Sequence, residues 1–99
     1  MSARIQIDRE RVADFCRRHQ VRRLALFGSV LRDDFRPDSD VDVLVEFSPE
    51  SRAGLFELAR MEAELAELVG RKVDLRTPAE LSRYFRDEVL ASAEIQYAA

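Results

Sequence analysis

Two aspartates, Asp40 and Asp42, open the run DVDVLVEF, whose alternation of apolar and polar residues marks a strand. Residues two apart on a strand project from the same face, so both carboxylates share one side. Like charges held that close are costly unless a cation neutralises them. An all-oxygen donor set favours a hard ion such as magnesium, which keeps several waters and is commonly shared with substrate phosphates. Asp74, in the later run KVDLR, has the same alternation phase in a strand whose Val73 and Leu75 would join Val41 and Val43 in the core. Three carboxylates on an open sheet face are the apparatus of two-metal phosphoryl or nucleotidyl transfer. An Asp-x-Asp pair alone can equally serve to blunt a sheet edge.

Gly28-Ser29 adds a second feature. A glycine closing a buried strand, with serine opening a helical segment, exposes backbone N–H groups and one hydroxyl, a natural seat for phosphate. Serine at that position is also an ordinary helix cap. The order matters more than either residue. The pair ends the strand before the carboxylate strand, so a triphosphate could lie between the Ser29 loop and metals on Asp40 and Asp42.

The elements that must position these residues follow from periodicity and punctuation. Asp8 caps a first helix running to about His19, with Val12, Phe15, Cys16 and His19 at helical spacing and Arg17, Arg18 and His19 in its last turn. Val21–Phe27 is a buried strand that stops at Gly28, and Ser29 opens the short helical segment SVLRD. Phe35–Ser39, with Pro37, is a loop. Along Asp40–Phe47, Val41, Val43, Val45 and Phe47 share one face and Asp40, Asp42, Leu44 and Glu46 the other. Leu55–Val69 is an amphipathic helix whose stripe of Leu55, Leu58, Ala59, Leu65, Ala66, Leu68 and Val69 is broken by Glu62, and Gly70 ends it. After the strand Lys72–Arg76, Thr77-Pro78-Ala79-Glu80 is a capping box that starts another helix, continuous or with a break, carrying Leu81, Tyr84, Phe85, Val89 and Leu90 towards an exposed tail at Tyr97. The fold class is therefore α/β in the α+β sense, a small mixed sheet with helices covering at least one face.

Composition narrows the class further. The chain has 99 residues, 16 of them Lys or Arg and 19 Asp or Glu, for a net charge of −3. That length fits one domain over residues 1–99, and the acidic balance makes direct binding of nucleic acid a poor expectation. No apolar run approaches a membrane span, and the start, MSARIQIDRER, lacks the apolar core of a signal peptide. One cysteine, Cys16, and one histidine, His19, cannot build a structural zinc site, and a lone cysteine fits a reducing cytoplasm. With three glycines in the chain, neither GxGxxG nor the P-loop motif is present.

The stretch LFGSVLRDDFRPDSDVDVLVEF carries Gly-Ser, a ten-residue gap and then Asp-x-Asp. That arrangement, with the downstream VDLRTPAEL, resembles the minimal nucleotidyltransferases of the DNA polymerase beta superfamily. More closely, it is similar to the MntA-like antitoxins of HEPN/MNT toxin–antitoxin pairs. The resemblance implies a mixed sheet with helices on one face and the active site on the other. It implies magnesium in a two-metal site and ATP, or another nucleoside triphosphate, as co-substrate. Gly28 and Ser29 match the family's nucleotide-holding positions, Asp40 and Asp42 its metal ligands, and Asp74 its third carboxylate, the activator of the incoming hydroxyl. Where many relatives carry a basic residue after Gly-Ser, this chain has Val30 and Leu31, leaving Arg32 to reach phosphate. The implied reaction is transfer of AMP to a tyrosine of a cognate HEPN toxin, with pyrophosphate leaving.

Two other functions compete. One is an antitoxin that neutralises its partner by contact alone, against which the intact Asp40, Asp42 and Asp74 argue. The other is modification of a small hydroxyl compound, for which a chain of this length lacks a second domain to enclose the acceptor. Among the remaining residues, Cys16 reads as core and His19 as a helix-end residue. Arg17, Arg18, Arg22 and Arg23 read as a solvated basic surface, and Leu81, Tyr84 and Phe85 as core.

Overall fold

The computed structural model describes residues 7–31, 36, 40–51, 54–81, 84 and 86–99, without the side chains of Ser29 and Leu55. Helix α1 (Arg9–Arg18) begins where the Asp8 carboxylate accepts the N–H groups of Glu10 and Arg11 at 3.1 and 3.2 Å. Strand β1 (Val21–Phe27) follows and passes directly into a single 3-10 turn over Gly28–Leu31. Strand β2 (Val41–Phe47) leads to helix α2 (Leu55–Val69), which stops at Gly70 with φ of 73°, a left-handed conformation suited to glycine. Strand β3 (Val73–Arg76) comes next.

The capping residues after β3 produce less helix than their spacing predicts. Pro78–Glu80 is a 3-10 turn, and helix α3 spans Arg86–Ser92. The expected exposed tail is in fact a strand, β4 (Glu94–Ala98). It pairs antiparallel with β1, Leu24 opposite Tyr97 and Leu26 opposite Glu94. Among the described residues the sheet therefore has four strands in the order β3-β2-β1-β4, antiparallel except for the β2–β3 pair. No helix among them is long and apolar enough to cross a membrane.

One face of the sheet carries the main core. Val12, Phe15 and Cys16 of α1 and Met61 and Leu65 of α2 pack against Leu24, Leu26, Val41, Val43, Val45, Val73 and Leu75. Each fully buried large side chain, such as Phe15 or Met61, contributes about 1.5–3 kcal/mol. His19 ties the two helices at their ends. Its Nδ1 lies 2.9 Å from Glu57 and its Nε2 3.1 Å from Glu64, with the ring 4.7 Å from that of Phe15. Arg18 also reaches Glu64, and this guanidinium holds the Glu64 carboxyl below the usual carboxylate range.

The opposite face is only partly open. Ala25 and Leu44 point away from the main core yet are each 2% exposed, and Leu81 and Gln96 are buried outside that core too. The 3-10 turn Pro78–Glu80 lies close to β2. Tyr84, expected in the core with Leu81, is instead 93% exposed, while Phe85 lies outside the described residues.

Glu62, the charge that interrupts the α2 stripe, has a structural task. Its Oε2 accepts the N–H of Leu75 at 2.8 Å, satisfying a donor on edge strand β3. Glu62→Leu would complete the apolar stripe but strand that N–H, and is expected to lower unfolding free energy by about 1–3 kcal/mol. Urea denaturation checks this. Glu62→Gln, which keeps an acceptor oxygen, should lose less.

Candidate active site

The site is assembled where β1 ends and β2 and β3 begin. Val41 N–H donates to the Lys72 carbonyl at 2.9 Å, locking the starts of the two parallel strands together. That register puts Asp42 directly beside Asp74, and Phe27 of β1 beside Asp42 on the other side. Both carboxylates are half-buried and share the face opposite the main core. Asp40 sits one residue ahead of β2 and is exposed. The structure thus brings Asp42 and Asp74 together as neighbours and keeps Asp40 on the rim.

Gly28 explains why a side chain is missing at the end of β1. Its φ is 75°, in the left-handed region. A Cβ built there would run into the Asp42 carboxylate, with Cγ at 3.3 Å. The absent side chain is the space that the Asp42 carboxylate occupies. The backbone of Ser29 lies in the 3-10 turn immediately after Gly28, while its hydroxyl falls outside the described atoms. Arg32, the expected phosphate-reaching cation, lies outside the described residues.

A cation that sequence reasoning did not single out stands on the same face. Arg76, two residues beyond Asp74, places Nη2 at 3.2 Å from Asp74 Oδ2 and Nη1 at 3.7 Å from Glu80 Oε2. Its guanidinium is held above its ordinary pKa, chiefly by the hydrogen bond to Asp74 and with a weaker contribution from Asp42. The VDLR alternation was the available signal, since Arg76 shares the phase of Asp74.

Among the described residues no three His, Cys, Asp or Glu side chains converge on one metal position. Asp40 stays on the rim, and Asp74 pairs with Arg76. The donor set nonetheless fits a hard divalent ion. It is built of oxygens, and the Gly28 gap admits the Asp42 carboxylate. The other reactive residue types lie elsewhere. Cys16 is fully buried in α1, and burial pushes its thiol up to about 12, with Arg17 offsetting only part of that rise. Arg22 and Arg23 face Glu46 at 3.5 and 3.1 Å, which gives half of the basic cluster ion-pair partners on β2.

Comparison with known proteins gives concordant results. A family profile described as a nucleotidyltransferase domain matches residues 9–96. The "Putative protein adenylyltransferase MJ0435" of Methanocaldococcus jannaschii is 37% identical over 76 residues, which cover 77% of this chain and 80% of that protein. A solved structure described as a "putative minimal nucleotidyltransferase" is 39% identical with a TM-score of 0.71, over 86% of this chain and 85% of that chain. A chain from the complex of a tri-AMPylated Shewanella oneidensis HEPN toxin with an MNT antitoxin shares the fold. It has a TM-score of 0.65 at 17% identity, over 92% of this chain and 70% of that one.

Proposed function

Because the chain belongs to the nucleotidyltransferase-domain family and is an enzyme of that class, we propose that it transfers AMP from ATP to a tyrosine of a HEPN toxin and neutralises the toxin thereby. The observation that carries this reading is the Asp42–Asp74 pair, in register across parallel strands, with Gly28 shaped around Asp42. A relative named "Putative protein adenylyltransferase" and a fold relative solved with an AMPylated HEPN toxin support the acceptor class.

In this reading Asp40, Asp42 and Asp74 would hold magnesium in a two-metal site, which would supply charge neutralisation at the triphosphate. The chain's own groups do the rest. Backbone N–H groups of the turn that starts at Gly28 bind and orient the phosphates, keeping pyrophosphate opposite the acceptor. The tyrosine enters beside Asp74, which takes the phenolic proton as the oxygen attacks the α-phosphorus. The new phosphate–tyrosine bond forms as the bond to pyrophosphate breaks. The half-buried Asp42 and Asp74, on the sheet face opposite the main core, suit an acceptor delivered on another protein's segment.

The test incubates the purified chain with labelled ATP, magnesium and the protein encoded by the neighbouring reading frame. AMP additions on tyrosine, lost in Asp74→Asn and on chelation of magnesium, are the expected result. If an Asp40→Asn, Asp42→Asn double variant binds and neutralises the partner with no added mass, the contact-only antitoxin is the correct reading.

A further inference from the structure

Arg76 lies between two carboxylates with different obligations. Asp74 belongs to the acidic pair beside Gly28. Glu80 is anchored from the other side, its Oε1 accepting both the N–H and the hydroxyl of Thr77 at 3.2 and 3.1 Å. That anchoring leaves Oε2 turned to Arg76 at 3.7 Å, too long for a hydrogen bond but within ion-pair range. On the other side of the guanidinium, the 3.2 Å contact to Asp74 is made. All three side chains are partly exposed, at 36% for Asp74, 47% for Arg76 and 42% for Glu80, so the guanidinium can shift without unpacking the core.

From this geometry we propose that Arg76 is a positioning residue, an internal counter-ion that occupies Asp74 until a divalent cation arrives and then moves to the seat held ready by Glu80. The inference rests on the proposed metal-binding role of the aspartates. A cation approaching Asp42 and Asp74 meets a guanidinium already bonded to one of them, and two cations on one carboxylate repel. A shift of less than an ångström along the line from Asp74 to Glu80 lengthens one contact and tightens the other. Glu80, fixed by Thr77, makes that displacement inexpensive. In the unliganded protein the same contact neutralises part of the charge that the Asp42–Asp74 pair concentrates on one face.

The device predicts opposite effects from two neighbouring substitutions. Arg76→Gln removes the competing cation and should tighten binding of Mn2+, used as a paramagnetic probe, by about two- to fivefold, the scale of an exposed ion pair. Glu80→Gln keeps the Thr77 hydrogen bonds but removes the second seat, so Arg76 stays on Asp74 and Mn2+ binding should weaken by about twofold or more. In the Arg76→Gln background, Glu80→Gln should change nothing further. The readout is Mn2+ titration by electron paramagnetic resonance in the absence of nucleotide, with Asp42→Asn as the control that must lose binding. Absence of Mn2+ binding by the wild type, or its persistence in Asp42→Asn, overturns the metal-site reading itself. If Mn2+ binds and depends on Asp42, equal affinities in wild type, Arg76→Gln and Glu80→Gln overturn the counter-ion exchange. So does a weakening by Glu80→Gln that persists without Arg76, because that would be bulk charge.

Discussion

Replacing Asp42 by asparagine should abolish nucleotidyl transfer while leaving the fold intact. Asparagine has nearly the shape of aspartate, so it fits the space that Gly28 leaves open, and Val41 and Val43 keep their packing in the core. What it lacks is the negative charge that would hold a cation against a triphosphate. Charge stabilisation of that kind is worth several kcal/mol in the transition state, on the order of 10²–10⁴ in rate. Stability should stay level or rise slightly, since one of two neighbouring like charges is gone. Transfer to the partner protein, measured with labelled ATP, and urea unfolding of the same samples test both halves. Near wild-type transfer would remove Asp42 from the metal site.

The second large effect is expected at Gly28. Gly28→Ala meets two penalties at once: a φ of 75°, and a Cβ directed into the Asp42 carboxylate. The backbone penalty is about 1–2 kcal/mol. Moving Asp42 off its position should cost activity on a scale approaching that of Asp42→Asn. Gly70 supplies the internal control. It has almost the same φ, 73°, but a Cβ there would meet nothing within 4 Å. Gly70→Ala should therefore lose about 1 kcal/mol of stability and no activity beyond it. Equal activities for the two alanine variants would mean that the Gly28–Asp42 contact has no catalytic role.

These residues were legible early because their signals are local. Alternation over Val41–Phe47 and Val73–Arg76 already placed Asp42 and Asp74 in phase. Gly28, closing a buried strand ahead of Ser29, reads as a phosphate seat, whereas its role in making room for Asp42 shows only in the fold. Helix α2 was equally plain, its bounds set by a 3.6-residue stripe and a terminal glycine, although Met61 escaped the stripe and is among its most buried residues. What stayed hidden depends on distant partners. The EIQYA segment is short, and its alternation is broken by a register shift opposite Leu24 and Ala25, so nothing local distinguishes it from a tail. Glu62 looked like a flaw in an apolar stripe because its partner, the Leu75 N–H, lies on another element. The capping box at Thr77 signalled a helix start correctly in chemistry but not in length, the turn ending at Leu81.

The placement of β4 has a consequence for how the chain reaches this state. Strand β1 is central only because Glu94–Ala98, close to the other end of the chain, comes back to pair with it. Contacts between such distant residues carry the largest loop-closure cost and form late. Until they form, β1 is an edge strand, and its Leu24 and Leu26 lie beside unpaired N–H and C=O groups, the template on which other chains add. The finished sheet is better defended. Its β3 edge has the Leu75 N–H occupied by Glu62, and its β4 edge is interrupted by the irregularity at Gln96 and begins with a charge at Glu94. Loss or delayed docking of Glu94–Ala98 would therefore turn the middle of the sheet into an aggregation-prone surface.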